Sequence, residues 1–176
     1  MARGRQPRKL DAEGLWEYAL RLLGQRAHSA GEVKQKLARR ALSIADVSAA
    51  MVKLREYGLA DDMKFSEAFA AARLQNRGFG RFRVLRELQS KRVPRSTAES
   101  AVEIAFSGTD ELQLIEQFLV RKYRGSDLGA LFKNEKNLAA AYRRLRLAGF
   151  SSNNSLSVLR RYANSAEEWN EPVEDE

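Results

Sequence analysis

Apolar residues recur along this chain every three or four positions, which is the spacing of one face of an α-helix. The first such stretch runs from about Asp11 to Arg26, with Leu15, Ala19 and Leu22 on its apolar face. No segment shows a sustained alternation of apolar and polar residues, so the pattern predicts no β-sheet. The three prolines lie at or beyond predicted helix boundaries, as an all-helical fold requires.

Capping residues mark two further helices in the first part of the chain. Ser29 and Glu32 have the spacing of a capping box, which predicts the start of a second helix with Leu37 in its core. Ser43 starts the third helix, and Gly58 ends it, because glycine takes the left-handed conformation of a helix end without steric cost.

The middle of the chain repeats this plan. Asp61 or Asp62 caps a fourth helix by accepting hydrogen bonds from its free backbone N–H groups. We expect that helix to end at the turn Gly78–Gly80 and a fifth helix to follow it. The apolar stripe of the fourth helix is Phe65, Phe69 and Ala72, and that of the fifth is Val84, Leu85 and Leu88.

Three leucines, Leu37, Leu88 and Leu145, align as the buried residues of an internal repeat with offsets of 51 and 57 residues. Each is followed at fixed distances by further apolar residues, which are Leu42, Val93 and Phe150 after five positions and Met51, Val102 and Leu159 after fourteen. Such a repeat is typical of helical arrays in which each unit buries a face against its neighbour. We therefore predict an all-α fold of three tandem three-helix repeats, stacked into an elongated, curved array.

The predicted repeats span residues 11–58, 59–108 and 109–163, with a flexible basic arm at 1–10 and a flexible acidic tail at 164–176. Four positions after the aligned leucines stand Ala41, Arg92 and Gly149, so only the third repeat has a glycine where a left-handed helix end is expected. In that repeat residues 124–129 form a loop with room for an extra turn, and residues 152–154 are expected to cap the last helix.

Composition excludes several classes of protein. The chain has 176 residues, 44% of them hydrophobic, which is enough to fold. It has no cysteine, which excludes disulfides and thiolate chemistry and fits a reducing compartment, so we expect a cytoplasmic protein. No apolar run is long enough to cross a membrane, and the first ten residues lack the apolar core of a signal peptide.

Charge is distributed unevenly. The net charge is +8, but residues 166–176 hold six acids and no base, so residues 1–165 carry 31 basic residues against 17 acidic ones. A body this basic indicates a polyanionic partner or an acidic protein surface. The acidic tail is either a solubilising end or an internal competitor for the basic surface. Trp169 within it is unusual for a disordered segment and suggests that the tail docks.

Catalytic chemistry has little support. The single histidine, His28, directly precedes the Ser29 cap and is expected in solvent. Zinc needs clustered histidines or cysteines, which are absent, and Asp61 and Asp62 are more typical of helix caps than of a metal site. Gly78 and Gly80 do not continue into a dinucleotide-binding pattern, because Arg83 stands where that pattern has its third glycine. We predict neither an enzyme nor a cofactor.

Basic residues are the strongest candidates for function. Between Arg73 and Arg95 stand eight bases and one acid, Glu87, so pairing along the helix cannot neutralise them. Arginine predominates, and its planar fork suits carboxylates and phosphates. The alternative is a solvated helix face. The predicted patch is Arg73, Arg77, Arg81, Arg83, Arg86, Lys91 and Arg92, and the secondary patches are Lys36, Arg39 and Arg40, and Arg143, Arg144 and Arg146.

Three motifs resemble the RecX family of bacterial recombination regulators. They are Arg26-x-His28-Ser29-x-x-Glu32-Val33-x-x-Lys36-Leu37, Gly58-Leu59-x-Asp61-Asp62-x-x-Phe65, and the run from Gly78-x-Gly80 to Glu87-Leu88-x-x-Lys91. Together the resemblance covers roughly residues 12–163 in order. The family usually has proline where Arg81 stands and glycine where Arg92 stands, so Arg92 either takes a costly left-handed conformation or its helix ends differently.

The resemblance implies a non-enzymatic regulator of the RecA recombinase. From the sequence pattern itself we expect a monomer without membrane association. The family binds RecA filaments on single-stranded DNA, lies in the helical groove of the filament and limits its growth and activity. Direct contact with single-stranded DNA would be weak. Two alternatives stay open, namely a helix-turn-helix protein that reads duplex DNA and a DNA binder that acts by charge alone. The densest basic helix is the second of its repeat, which weakens the first alternative.

Overall fold

The computed structural model describes residues 9–167, except for the side chains of residues 164–167. This part of the chain contains ten α-helices and no β-strand. The helices are α1 (Ala12–Gln25), α2 (Ala30–Arg40), α3 (Ile44–Glu56), α4 (Asp62–Arg77), α5 (Arg81–Ser90), α6 (Arg95–Phe106), α7 (Glu111–Lys122), α8 (Leu128–Phe132), α9 (Glu135–Ala148) and α10 (Ser152–Glu167). The predicted all-α class is confirmed. None of these helices combines the length and apolar composition needed to cross a membrane.

The chain ends predicted as flexible lie largely outside this description. Of the basic arm, only Lys9 and Leu10 are described, and Leu10 forms an isolated parallel bridge with Ala41. Its backbone N–H donates to the carbonyl of Arg40 at 2.7 Å, and its carbonyl accepts from the N–H of Leu42 at 3.0 Å. The acidic tail beyond residue 167, with Trp169, lies outside the described residues.

The described chain divides into two compact units. The N-terminal unit contains residues 9–69 and 87–102, and the C-terminal unit contains residues 70–86 and 103–167. The boundary falls within α4, α5 and α6, each of which has residues in both units. The three predicted repeats and their boundaries stay a prediction.

The core of the N-terminal unit lies among α1, α2 and α3, which pack on one another. Leu15, Ala19, Val33 and Leu37 are fully buried there. Each helix begins at a capping side chain, because Asp11, Ser29 and Ser43 accept hydrogen bonds from backbone N–H groups in the first turn. The predicted starts of these helices are therefore confirmed.

The core of the C-terminal unit lies among α7, α8, α9 and α10. Phe132, on the short helix α8, is buried between the rings of Tyr123 and Tyr162, both of which meet it edge-on. The extra turn for which the sequence left room is thus a helix that contributes to the core. α10 is capped by Ser151, whose hydroxyl accepts from the N–H of Asn154 at 3.3 Å, rather than by residues 152–154.

The aligned leucines Leu37, Leu88 and Leu145 are all fully buried, yet the helices that carry them end in two ways. Arg92 and Gly149 are both left-handed, with φ of 63° and 92°. The next residue folds back in each case: the N–H of Val93 donates to Leu88 and that of Phe150 to Leu145. Val93 and Phe150 are buried as a result.

The first repeat ends differently, because Ala41 is extended and is itself buried. Leu42, which the alignment placed in the core, is 69% exposed. Of the two alternatives for Arg92, the left-handed conformation is therefore the one that the structure adopts, although the residue is not glycine.

The apolar face of α4 also differs from the predicted stripe. Ser66 and Ala70 are the buried residues, Phe65 and Phe69 are half-buried, and Ala72 is exposed. Burial of Ser66 is possible because its hydroxyl donates to the carbonyl of Asp62 at 2.6 Å, which leaves the polar group satisfied.

Candidate functional site

The N-terminus of α5 docks on the C-terminal end of α9 in the C-terminal unit. The N–H of Gly80 donates to the carbonyl of Ala148 at 2.9 Å, and the N–H of Phe82 donates to the carbonyl of Gly149 at 3.1 Å. The first N–H groups and the last carbonyls of helices have no partner within their own helix, so each end satisfies the other. A Cβ on Gly149 would lie 2.2 Å from the backbone nitrogen of Arg83, which explains why glycine stands at this junction.

Three arginines of the predicted patches gather around this helix end. The guanidinium of Arg86 donates to the carbonyl of Leu147 at 3.4 Å, and that of Arg146 donates to the carbonyl of Phe150. The guanidinium of Arg83 lies 3.7 Å from the centre of the Phe79 ring. Cations are favoured at the partly negative C-terminus of a helix, so part of their role is structural.

The outer face of α9 carries the third-repeat patch. Arg143, Arg144 and Arg146 are exposed, and no acid occurs between residues 136 and 149. Arg144 donates to the hydroxyl of Tyr123 at 3.1 Å and stacks on its ring. Within residues 9–167, neither Arg143 nor Arg146 forms an ion pair with a carboxylate. The structure thus brings Arg86, from the main predicted patch, to the helix that carries the secondary one.

The rest of the main patch is not one uniform surface. Arg81 pairs with Glu103 at 3.5 Å and lies over the Phe106 ring, so an acid outside the patch partly neutralises it. Arg73 is half-buried and Arg77 is exposed at the end of α4. Lys91 and Arg92 belong to the N-terminal unit. Arg81 and Lys91 therefore have acidic partners from outside this stretch, which a count of charges along the stretch does not reveal.

Lys91 contacts Glu32, which is the centre of a polar cluster in the N-terminal unit. Glu32 pairs with Arg26 at 3.2 Å and with Lys91 at 3.6 Å, and it accepts from the N–H of Ser29 to complete the predicted capping box. Burial opposes the charge of this carboxylate, but the hydrogen bonds from Arg26 and Ser29 and the charge of Lys91 outweigh it, so the pKa of Glu32 is lowered. The hydroxyl of Ser29 also donates to the carbonyl of Lys91.

His28 lies inside this cluster rather than in solvent, which corrects the sequence-based expectation. Its side chain is 3% exposed, and its Nδ1 lies 3.6 Å from Oε2 of Glu32. Burial disfavours the imidazolium and the charge of Arg26 adds to this effect, so the pKa of His28 is lowered despite the neighbouring carboxylate.

Asp61 and Asp62 have different roles. Asp61 caps α4, because its carboxylate accepts from the N–H groups of Met63 and Lys64, both at 3.0 Å. The carboxylate of Asp62 instead accepts from the N–H of Ala30, at 2.8 Å, in the first turn of α2. Among residues 9–167 no group of three potential ligands could hold a metal ion.

The first-repeat patch lies on α2 and near its end. Arg39 is exposed, Lys36 is half-buried, and the guanidinium of Arg40 lies 4.9 Å from the centre of the Tyr18 ring. Gly58 is left-handed, with φ of 66°, and ends the turn after α3 as predicted.

Sequence reasoning missed two polar contacts. Arg121 donates to the carbonyl of Arg77 at 2.7 Å, directly beside Gly78, where a Cβ would lie 2.7 Å from the guanidinium. The carboxylate of Glu111 accepts from the N–H and the hydroxyl of Ser151, at 2.9 and 2.6 Å. These partners are 44 and 40 residues apart, and no local pattern signals such pairs.

Two protein-family models match successive stretches of this chain. Models described as the first and the second three-helix domain of RecX match residues 16–54 and 61–102. The regulatory protein RecX of Vibrio parahaemolyticus is 30% identical over 135 residues, which cover 77% of this chain and 83% of that protein. The regulatory protein RecX of Chlorobaculum tepidum is 28% identical over 108 residues, and the chain spans 65% of its length.

The fold is also shared with a solved structure. The crystal structure of RecX from Lactobacillus salivarius superposes with a TM-score of 0.66 at 18% identity, covering 86% of this chain and 96% of that one. Because the chain is 30% identical to the Vibrio parahaemolyticus protein over 83% of its length, it belongs to the RecX family of regulatory proteins.

Proposed function

We propose that this chain binds the RecA filament on single-stranded DNA and modulates RecA recombinase activity, mainly by inhibition. Family membership supports a regulatory role, and the motif resemblance supplies RecA as the partner. We propose further that it acts as a cytoplasmic monomer, without a cofactor, and that its direct contact with single-stranded DNA is weak.

The observation that carries the proposal is the cationic cluster formed by Arg86, Arg143 and Arg146 at the C-terminal half of α9. All three are exposed, and two of them donate to backbone carbonyls of the helix end. Each such contact uses only part of the five N–H donors of a guanidinium, so other donors are left for a partner. Holding the side chains in place lowers the entropy cost of binding a carboxylate or phosphate.

A repeating partner suits a surface of this kind. Exposed charge contacts are individually weak and are screened by salt, so a few of them give modest affinity for naked DNA. Several contacts made at once along one filament add through effective concentration. We therefore expect filament binding to be much tighter than binding to either naked single-stranded or naked duplex DNA.

A protein that reads duplex sequence needs a helix with several outward donors. α6, the third helix of the predicted second repeat, carries one basic residue, Arg95, and its guanidinium pairs with Glu99 at 2.7 Å. This pairing speaks against α6 as a reading helix, and tight binding to one duplex sequence that survives high salt would instead favour that function.

The test compares the double variant Arg86→Ala with Arg143→Ala against a charge-matched control, Arg21→Ala with Arg55→Ala. Arg21 and Arg55 are exposed and belong to no predicted patch. Each lost charged contact is expected to weaken binding to RecA-coated single-stranded DNA by about 1–3 kcal/mol, and inhibition of strand exchange should fall in parallel. The control should bind and inhibit like the unaltered protein.

Thermal melting accompanies both variants. Arg86 makes only an exposed 3.4 Å contact with Leu147 and Arg143 makes none that the structure describes, so stability should change by no more than about 1 kcal/mol. A double variant that melts and inhibits normally would show this cluster to be merely solvated.

A further inference from the structure

A groove of about 610 Å³ lies between α7 and α10 in the C-terminal unit. Val120, which is 58% exposed, and the half-buried ring of Tyr162 give it an apolar floor. Arg121 and Arg124 stand on its rim, both exposed. Among the described residues that line it, the one carboxylate belongs to Glu116, which pairs with Arg161 at 3.3 Å. The groove therefore combines an apolar floor with the positive charge of Arg121 and Arg124 on its rim.

α7 and α10 run in the same direction along this groove. Glu111, at the start of α7, binds Ser151 at the start of α10, and further along Glu116 binds Arg161. The C-terminal end of α10 consequently lies at the end of α7 that carries Arg121, Lys122 and Arg124. Two parallel helix ends concentrate partial negative charge there, which favours these cations but disfavours acids without a cationic partner.

The chain that follows α10 is complementary to the groove in sequence. Residues 168–176 contain five acids, no base and one aromatic residue, Trp169. Trp169 stands seven positions after Tyr162, which in turn stands four after the fully buried Val158. Trp169 thus supplies one large apolar side chain for the apolar floor, and the acids supply charge opposite to that of Arg121 and Arg124.

We propose that residues 168–176 of this chain dock in the groove between α7 and α10. The indole of Trp169 packs against Val120 and Tyr162, and the carboxylates of the segment pair with Arg121 and Arg124. Arg121 uses one donor on the carbonyl of Arg77 and keeps others for such a partner. Because the segment belongs to the same chain as the groove, its docking is intramolecular and does not depend on protein concentration.

This interaction is independent of RecA. It assigns an occupant to the positive groove of the C-terminal unit, and it makes the acidic segment compete with any external polyanion for Arg121 and Arg124. Raising the salt concentration should weaken the docking, because its charge pairs lie on the rim.

The test uses the full chain labelled with 5-fluorotryptophan. It contains two tryptophans, Trp16 and Trp169, so two fluorine signals are expected, and Trp169→Phe assigns them. In the unaltered protein the Trp169 signal should be displaced from that of free tryptophan and show a reduced H2O/D2O isotope shift. Val120→Asp and Arg124→Glu should each move it to the free position with the full isotope shift.

The matched control is Lys136→Glu, a reversal of an exposed charge on α9 of the same unit. It should leave the Trp169 signal unchanged, and circular dichroism should show that all variants keep their helices. A Trp169 signal at the free position in the unaltered protein would overturn the proposal. A displaced signal that ignores both Val120→Asp and Arg124→Glu would overturn it as well, because Trp169 would then lie elsewhere.

Discussion

Arg92 packs against Gly31 where the end of α5 meets the start of α2. A Cβ on Gly31 would lie 2.4 Å from the carbonyl oxygen of Arg92 and 2.5 Å from its Cβ. At the corresponding junction of the C-terminal unit glycines stand on both sides, since a Cβ on Gly80 would lie 2.3 Å from the carbonyl oxygen of Gly149 and a Cβ on Gly149 would lie 2.2 Å from the backbone nitrogen of Arg83. Both junctions thus have a glycine at the start of the receiving helix, but only in the N-terminal unit is the left-handed residue an arginine.

Gly31→Ala should destabilise the protein by about 1–3 kcal/mol, because the added methyl group meets backbone that cannot move aside. The matched control is Gly24→Ala in α1, where nothing lies within 4 Å of the new Cβ. That substitution should stabilise the protein by about 0.5–1 kcal/mol, since alanine is the better helix former. Urea denaturation measures both, and equal effects of the two substitutions would contradict the packing.

Arg92→Gly should stabilise the protein. A left-handed residue other than glycine costs about 1–2 kcal/mol of stability, which the substitution relieves. Glycine also makes the unfolded chain more flexible, which costs about 0.5–1 kcal/mol. The net gain in stability is therefore about 0.5–1 kcal/mol. The opposite change, Gly149→Ala, should destabilise by more than about 2 kcal/mol, because φ is 92° and the new Cβ would meet Arg83. A loss of stability in Arg92→Gly would show that its side chain contributes more than its backbone costs.

Asp61→Ala and Asp62→Ala should affect different helices, because Asp61 caps its own helix α4 whereas Asp62 binds the first turn of α2. Loss of the Asp61 cap should cost about 1 kcal/mol and expose the first N–H groups of α4. Loss of the Asp62 carboxylate should cost about 1.5–3 kcal/mol, because it removes a charged acceptor from the N–H of Ala30.

Amide hydrogen exchange distinguishes these two effects. The Ala30 amide should exchange faster in Asp62→Ala and unchanged in Asp61→Ala, whereas the Met63 and Lys64 amides should show the reverse. Protection of Ala30 that survives Asp62→Ala would mean that another group satisfies it.

Stability should fall as the pH drops below 6.5, the ordinary pKa of histidine. The pKa of His28 is lowered in the folded protein, so the unfolded chain binds the proton more readily and acid shifts the equilibrium toward it. Glu32 also has a lowered pKa, so its contribution is present above the ordinary value of 4.5 and is lost as the pH falls below it.

In His28→Gln the free energy of unfolding should no longer change with pH just below pH 6.5. Its decrease below pH 4.5, which comes from Glu32, should remain. Urea denaturation over a series of pH values measures both regions. A slope below pH 6.5 that persists in His28→Gln would assign it to another group.

The sequence by itself determined which segments become helices and where most of them begin. Caps such as Ser29 and Ser43 act on backbone groups two or three residues away, and an apolar period of three or four places residues on one helix face. The aligned leucines were recognisable for the same reason, since burial of each depends on the period of its own helix. The basic residues were recognisable by composition alone.

Only the tertiary structure decided what those residues contact. Asp62 binds Ala30, 32 residues away, and Arg121 binds Arg77, 44 residues away, so neither role is visible in a local pattern. Packing also decided the left-handed conformation of Arg92, because intrinsic preference would have placed a glycine there and only the space left by Gly31 accommodates the arginine. Packing decided the exposure of individual residues as well. Neighbouring helices cover His28 and leave Leu42 exposed, which the sequence around each residue does not indicate.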